Sequence, residues 1–93
     1  MLVHLAIHTP KPEAIDALIA SMQRFAAAGR TQAGLREVHT MRDPESGRLL
    51  GLAIWESREA FEKGVEAMRA AVEDDPFPEW EDGTPEVYLF EDV

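Results

Sequence analysis

The seven residues from Leu49 to Trp55 carry no charge and are apolar throughout, and this run constrains the fold more than any other feature. At the two-residue period of a strand, Leu50, Leu52 and Ile54 point one way. Leu49, Gly51, Ala53 and Trp55 point the other way. A sheet with one face in water alternates apolar with polar residues, so this strand asks for cover on both faces. The last apolar run repeats the pattern, with Val87 and Leu89 on one side and Tyr88 and Phe90 on the other.

The flanking segments say what one of the covers is. Leu2 to His8 alternates Val3, Leu5 and Ile7 with His4, Ala6 and His8, which is a strand. Pro12 and Glu13 suit a helix start, and Ile15, Leu18, Ile19, Met22, Phe25 and Ala26 follow at helical spacing. Gly29 is placed to be the glycine just past that helix. Gly34 precedes a strand from about Leu35 to Met41, and the 43–47 turn joins it to the apolar strand, Leu49 to Glu56. Ser57 is a credible N-cap for a second helix whose stripe is Phe61, Val65, Met68 and Val72. Residues 73–84 read as an acidic loop, and Glu86 to Phe90 as a last strand. The order strand, helix, strand, strand, helix, strand is that of a single α+β domain over residues 1–93 with a ferredoxin-like βαββαβ fold. Right-handed crossovers give an antiparallel sheet of order 4-1-3-2, with two helices on one face. Two helices cover one face only. The expected cover for the other is the same face of a second copy, giving a two-fold homodimer. Cover by the 73–84 loop is the alternative.

Composition removes several classes of function. Acids outnumber bases 18 to 9, and residues 70–93 hold nine of the acids and no base. The bases are scattered singly, so there is no footprint for nucleic acid. No apolar run is long enough to span a membrane, and no signal peptide is evident, so a soluble cytoplasmic protein is expected. The chain has no cysteine, which removes disulfides, thiolate metal sites and thiol nucleophiles.

The element order, Gly34-Leu35 opening the second strand, and the run Ile54-Trp55-Glu56-Ser57-Arg58-Glu59-Ala60-Phe61 together resemble the antibiotic biosynthesis monooxygenase family. The resemblance implies a dimeric α/β barrel. It also implies that Trp55 lines a cavity between sheet and helices. Members of that family oxygenate aromatic polyketides or quinols without a cofactor, and others degrade haem. The haem-degrading members pair the tryptophan with an asparagine on strand one and a histidine on helix two. Here Leu5 stands near the first position, and the last histidine of the chain is His39, so haem degradation is not expected.

Candidate site residues follow from chemistry. His4 and His8 share a strand face but lie four residues apart, about 13 Å. Zn–N bonds are about 2.0–2.1 Å, so one ion cannot join them, and no metal site is expected. Any of His4, His8 and His39 can serve as a base or hydrogen-bond a phenolic substrate, with His8 and His39 placed toward strand ends where a cavity could open, and Tyr88 is a further candidate. Trp55, Phe61, Met68 and Phe90 are candidates for cavity walls, although each could equally fill the core. Phe77 and Trp80 are large aromatics in a polar loop, which suggests that it folds back as a lid or clamps a dimer. Glu81-Asp82 and Asp74-Asp75 read as solvated surface charge. If the loop borders a cavity mouth, its field disfavours anionic ligands.

Two functions remain. One is a cofactor-independent monooxygenase acting on a small aromatic or quinone-type substrate, which supplies its own electrons once deprotonated. The other is a non-catalytic dimeric module that binds a small ligand or serves structure alone.

Overall fold

A computed structural model describes all 93 residues. The strands are β1 (Leu2–His8), β2 (Leu35–Arg42), β3 (Leu49–Trp55) and β4 (Glu86–Glu91). The helices are α1 (Ile15–Gly29), entered through a 3-10 turn at Pro12–Ala14, α2 (Arg58–Ala70) and the short α3 (Phe77–Trp80). The strands form one antiparallel sheet of order β2-β3-β1-β4, which is the expected order read from the other edge. Both long helices lie on one face, and the sheet does not close on itself. This is the ferredoxin-like α+β fold. No helix is long and apolar enough to cross a membrane.

Register decides which face the helices take. Leu2, His4, Ala6 and His8 pair with Trp55, Ala53, Gly51 and Leu49, so these eight side chains share a face. Leu2, Leu49, Ala53 and Trp55 are buried, which makes this the helix side. One core cluster joins Leu2, Ala53 and Trp55 to Phe61, Val65 and Met68 of α2. A second joins Leu18 and Met22 of α1 to Leu49, with Phe77 and Trp80 packed on it. The opposite face presents Val3, Leu5, Ile7, Leu50, Leu52 and Ile54, flanked by Met41, Tyr88 and Phe90. No helix covers it, and Met41, Tyr88 and Phe90 are 43%, 42% and 54% exposed.

Two local readings change. Gly29 is the last residue of α1 rather than the residue past it. It is buried where α1 meets α2, and a Cβ there would come within 2.6 Å of Met68 Cε. Close helix approach therefore selects this glycine. Gly34 is the residue with positive φ, at 86°, and its missing side chain also makes room for Ala60. Ser57 caps α2 as expected, its Oγ accepting from the Ala60 N–H at 3.1 Å.

Candidate functional site

The helices sit mainly over β2 and β3, so the helix side of β1 is left partly uncovered. The sheet residues in the middle of that face are small: Ala6, Gly51 and Ala53. Short side chains under displaced helices leave a hollow, and a cavity of about 690 Å³ opens there. Met22 and Phe25 of α1, Arg69 at the end of α2, and Val72 form its far wall. Phe77, Pro78 and Glu81 close one end. His4 and His8 both rise from its floor.

The closing segment is fixed in place. The Lys11 N–H donates to the Trp80 carbonyl at 2.8 Å, and the Asp82 N–H donates to the Thr9 carbonyl at 2.7 Å. Phe77 and Trp80 pack edge to face, with ring centroids 5.9 Å apart. Asp75 anchors the other side, accepting from Ser21 Oγ at 2.6 Å and from Arg24 Nη2 at 2.9 Å. These bonds, with the Ser21 hydroxyl first, hold the Asp75 carboxyl below the usual carboxylate range. The sequence shows a loop here, and the structure folds it into a wall containing a turn of helix.

This wall delivers a polar group that the sequence does not single out. Glu81 is not a solvated surface charge: it is 6% exposed, and its Oε1 lies 2.6 Å from His8 Nδ1. A carboxylate so placed accepts a proton from Nδ1, and in that tautomer Nε2 carries the lone pair. No protein group bonds Nε2, and His8 lines the cavity. The available signal was indirect. If Phe77 and Trp80 pack on the body, the residue after Trp80 is carried in with them.

His4 occupies the other end of the floor. Its ring meets Phe61 edge to face at 5.1 Å, and no hydrogen bond to protein engages it. Burial, with the Arg69 cation as a second cause, lowers its pKa from the ordinary value of 6.5 and so favours the neutral ring. Phe61 in turn meets Trp55 edge to face at 6.1 Å. Trp55 therefore lies behind Phe61, fully buried, with Nε1 unpartnered.

The other sequence candidates are placed as follows. Trp55, Phe61 and Met68 belong to the core cluster and are not among the cavity walls. Gly64 is the physical reason, because α2 without a side chain there seats directly against the indole. Phe90 and Tyr88 stack on each other at 6.2 Å on the open face, the wrong side of the sheet for the cavity. His39 is on that same face by strand parity, exposed, with Nε2 3.2 Å from Glu37, yet the residue is among those that line the cavity. His8 and Phe77 do reach the cavity, while Trp80 packs on the Leu18–Leu49 cluster. The charge at the cavity is mixed rather than uniformly acidic: Glu81 lies at one end and Arg69 at the other.

The fold and this site define a class of small α+β proteins with a ligand-sized cavity between a four-stranded sheet and its helices. The model of the antibiotic biosynthesis monooxygenase family matches residues 1–74, and the chain belongs to that family. Solved structures share the fold. Rv0793 from Mycobacterium tuberculosis is 20% identical, covers 99% of this chain and 94% of its own, and superposes with a TM-score of 0.80. SnoaB, a cofactor-independent oxygenase from Streptomyces nogalater, is 17% identical with coverages of 98% and 91% and a TM-score of 0.80. A conserved protein from Methanosarcina mazei is 13% identical with coverages of 99% and 92% and a TM-score of 0.85. No curated protein sequence matches this chain significantly.

Proposed function

We propose that this protein is a cofactor-independent monooxygenase for a phenolic or hydroquinone-type aromatic, with His8 as the base and Glu81 as its orienting carboxylate. Family membership supports monooxygenase-like chemistry in general terms. The observation that carries the specific reading is the buried His8–Glu81 pair at 2.6 Å, opening into an apolar-walled cavity.

The chemistry asks little of the protein. A C–H beside an aromatic ketone, as in an anthrone or the keto tautomer of a phenol or hydroquinone, is acidic enough for an imidazole to remove its proton, at Nε2. Glu81 stabilises the imidazolium that forms, as a carboxylate does in a triad. The resulting carbanion passes one electron to O₂, and the radical pair combines into a C–O bond. The hydroperoxide then loses water, leaving a carbonyl. One CH₂ becomes C=O and O₂ becomes that oxygen plus one water. The four electrons come from the two C–H bonds, so no external reductant enters. Apolar walls keep bulk water from quenching the carbanion.

Oxygen uptake with anthrones and hydroquinones tests this reading. The His8→Ala variant is expected to lose about 10²–10⁴ in kcat, the usual worth of a positioned base. Glu81→Gln, which keeps shape but not charge, is expected to fall between it and wild type. Unchanged kcat in His8→Ala removes His8 from the mechanism. Ligand binding without oxygen uptake favours the non-catalytic module.

We also propose that the open sheet face is covered by a second copy. Six aliphatic side chains and three larger neighbours on one unpartnered face support this. The cavity lies on the opposite side of the sheet, so such a dimer leaves the site in each copy free.

A further inference from the structure

The cavity holds a second imidazole that the proposed reaction does not use. His4 and His8 lie on the same face of β1 with Ala6 between them, and both side chains line the cavity floor. Their spacing is about 13 Å along the strand. His8 is committed through Nδ1 to Glu81, whereas His4 has no hydrogen-bonding partner in the protein. Its ring nitrogens are not sealed off, since Trp55 Nε1 is the one buried side-chain nitrogen without a partner, so a molecule that enters the hollow can hydrogen-bond to them. Phe61 holds the ring by its edge, which fixes its direction. Arg69, ion-paired with Glu66 at 3.1 Å, lines the same end.

We propose that His4 is a positioning residue that hydrogen-bonds an oxygen at the end of the ligand remote from His8. The inference rests on the cavity being the ligand site, as proposed above. The two imidazoles then act as a pair of posts. Subtracting one hydrogen bond of about 2.9 Å at each post leaves roughly 7 Å between ligand oxygens when both bonds run along the strand. That is the span of two fused aromatic rings with an oxygen at each end. The small residues Ala6 and Gly51 between the posts give such a flat ligand room to lie on the sheet.

The test compares two probes by calorimetric titration, which needs no turnover. One is a dihydroxynaphthalene with hydroxyls at opposite ends, and the other is the naphthol lacking the second hydroxyl. Wild type is expected to favour the diol about 3- to 10-fold, the size of one net hydrogen bond. His4→Phe keeps a ring against Phe61 and is expected to erase that preference while leaving naphthol affinity unchanged. His4→Gln restores a donor and is expected to recover part of it. For an oxygenated substrate, His4→Phe raises KM with kcat held, whereas His8→Ala lowers kcat.

A diol preference that survives in His4→Phe overturns the proposal. So does an equal loss for both probes, which marks a structural role. A preference that behaves as expected with no oxygen uptake from any substrate overturns the oxygenase reading and leaves His4 in place. Binding of neither probe to wild type overturns the posts.

Discussion

A neutral imidazole buried beside a guanidinium becomes more costly to the fold as the pH falls. His4 has a pKa below its unfolded value of 6.5, first through burial and then through Arg69, the cation that faces it from the end of α2. Below that value the unfolded chain binds a proton that the folded chain resists, so stability rises with pH across the window. The contribution is complete above 6.5 and is lost as pH falls through the lowered folded pKa. Urea midpoints at about pH 7.5 and about pH 5.5 should therefore differ less in His4→Phe than in wild type. An equal drop in both removes His4 as the source. Gly64 makes a second residue-scale case. A Cβ there would overlap Trp55 Cη2 and Cζ3, a rigid ring with no free end to yield. Gly64→Ala is expected to cost about 1–3 kcal/mol by denaturant melts. Gly29→Ala should cost less, because the atom it meets is the flexible end of Met68. Single residues were also where the sequence was least legible. Glu81 looks like any other acid in an acidic loop, and its burial depends on the Pro10–Glu81 bridge that only the folded chain forms. Trp55 looks like a cavity wall, and it is buried because α2 seats directly against its indole at Gly64.

Elements were read better, for reasons that can be named. The strict alternation of β1 and the charge-free β3 are unambiguous period-two signals, and their observed bounds, Leu2–His8 and Leu49–Trp55, follow them. The Ser57 cap was legible because a serine before an acidic first turn has few other uses. Ser57→Ala is expected to cost about 1 kcal/mol, measured by the same melts. No loss would mean that tertiary packing alone sets where α2 begins. The four-residue α3 was not legible, because one turn of helix carries no periodicity. Its consequence is mechanical. A lid must hinge, but this segment is tied at Lys11–Trp80 and Thr9–Asp82 to the chain leaving β1. The Lys11 and Asp82 amides should exchange with solvent only as slowly as the β1 amides do. Fast exchange at both, with β1 protected, would restore the moving lid.

At the scale of the molecule, the sequence could name two apolar faces but not say which one the helices take. Leu50, Leu52 and Ile54 are as apolar as Leu49, Ala53 and Trp55, so hydropathy does not discriminate. Side-chain size does. Helices take the face with Ala6, Gly51 and Ala53, where the small residues leave a hollow, and the larger aliphatics are left on the outside. This division makes the dimer and the site separable. Leu50→Glu places a charge on the open face and touches neither the core clusters nor the cavity lining. Wild type is expected to sediment at twice the mass of the chain at micromolar concentration, and Leu50→Glu at the mass of one chain. Ala20→Glu, on the exposed side of α1, serves as the control and should remain dimeric. The Leu50→Glu monomer should still bind the dihydroxynaphthalene, because β1 presents His4 and His8 to the other side of the sheet. A wild-type monomer at that concentration sinks the proposed second copy. Lost binding in a folded monomer would show instead that the partner supports the floor on which both histidines stand.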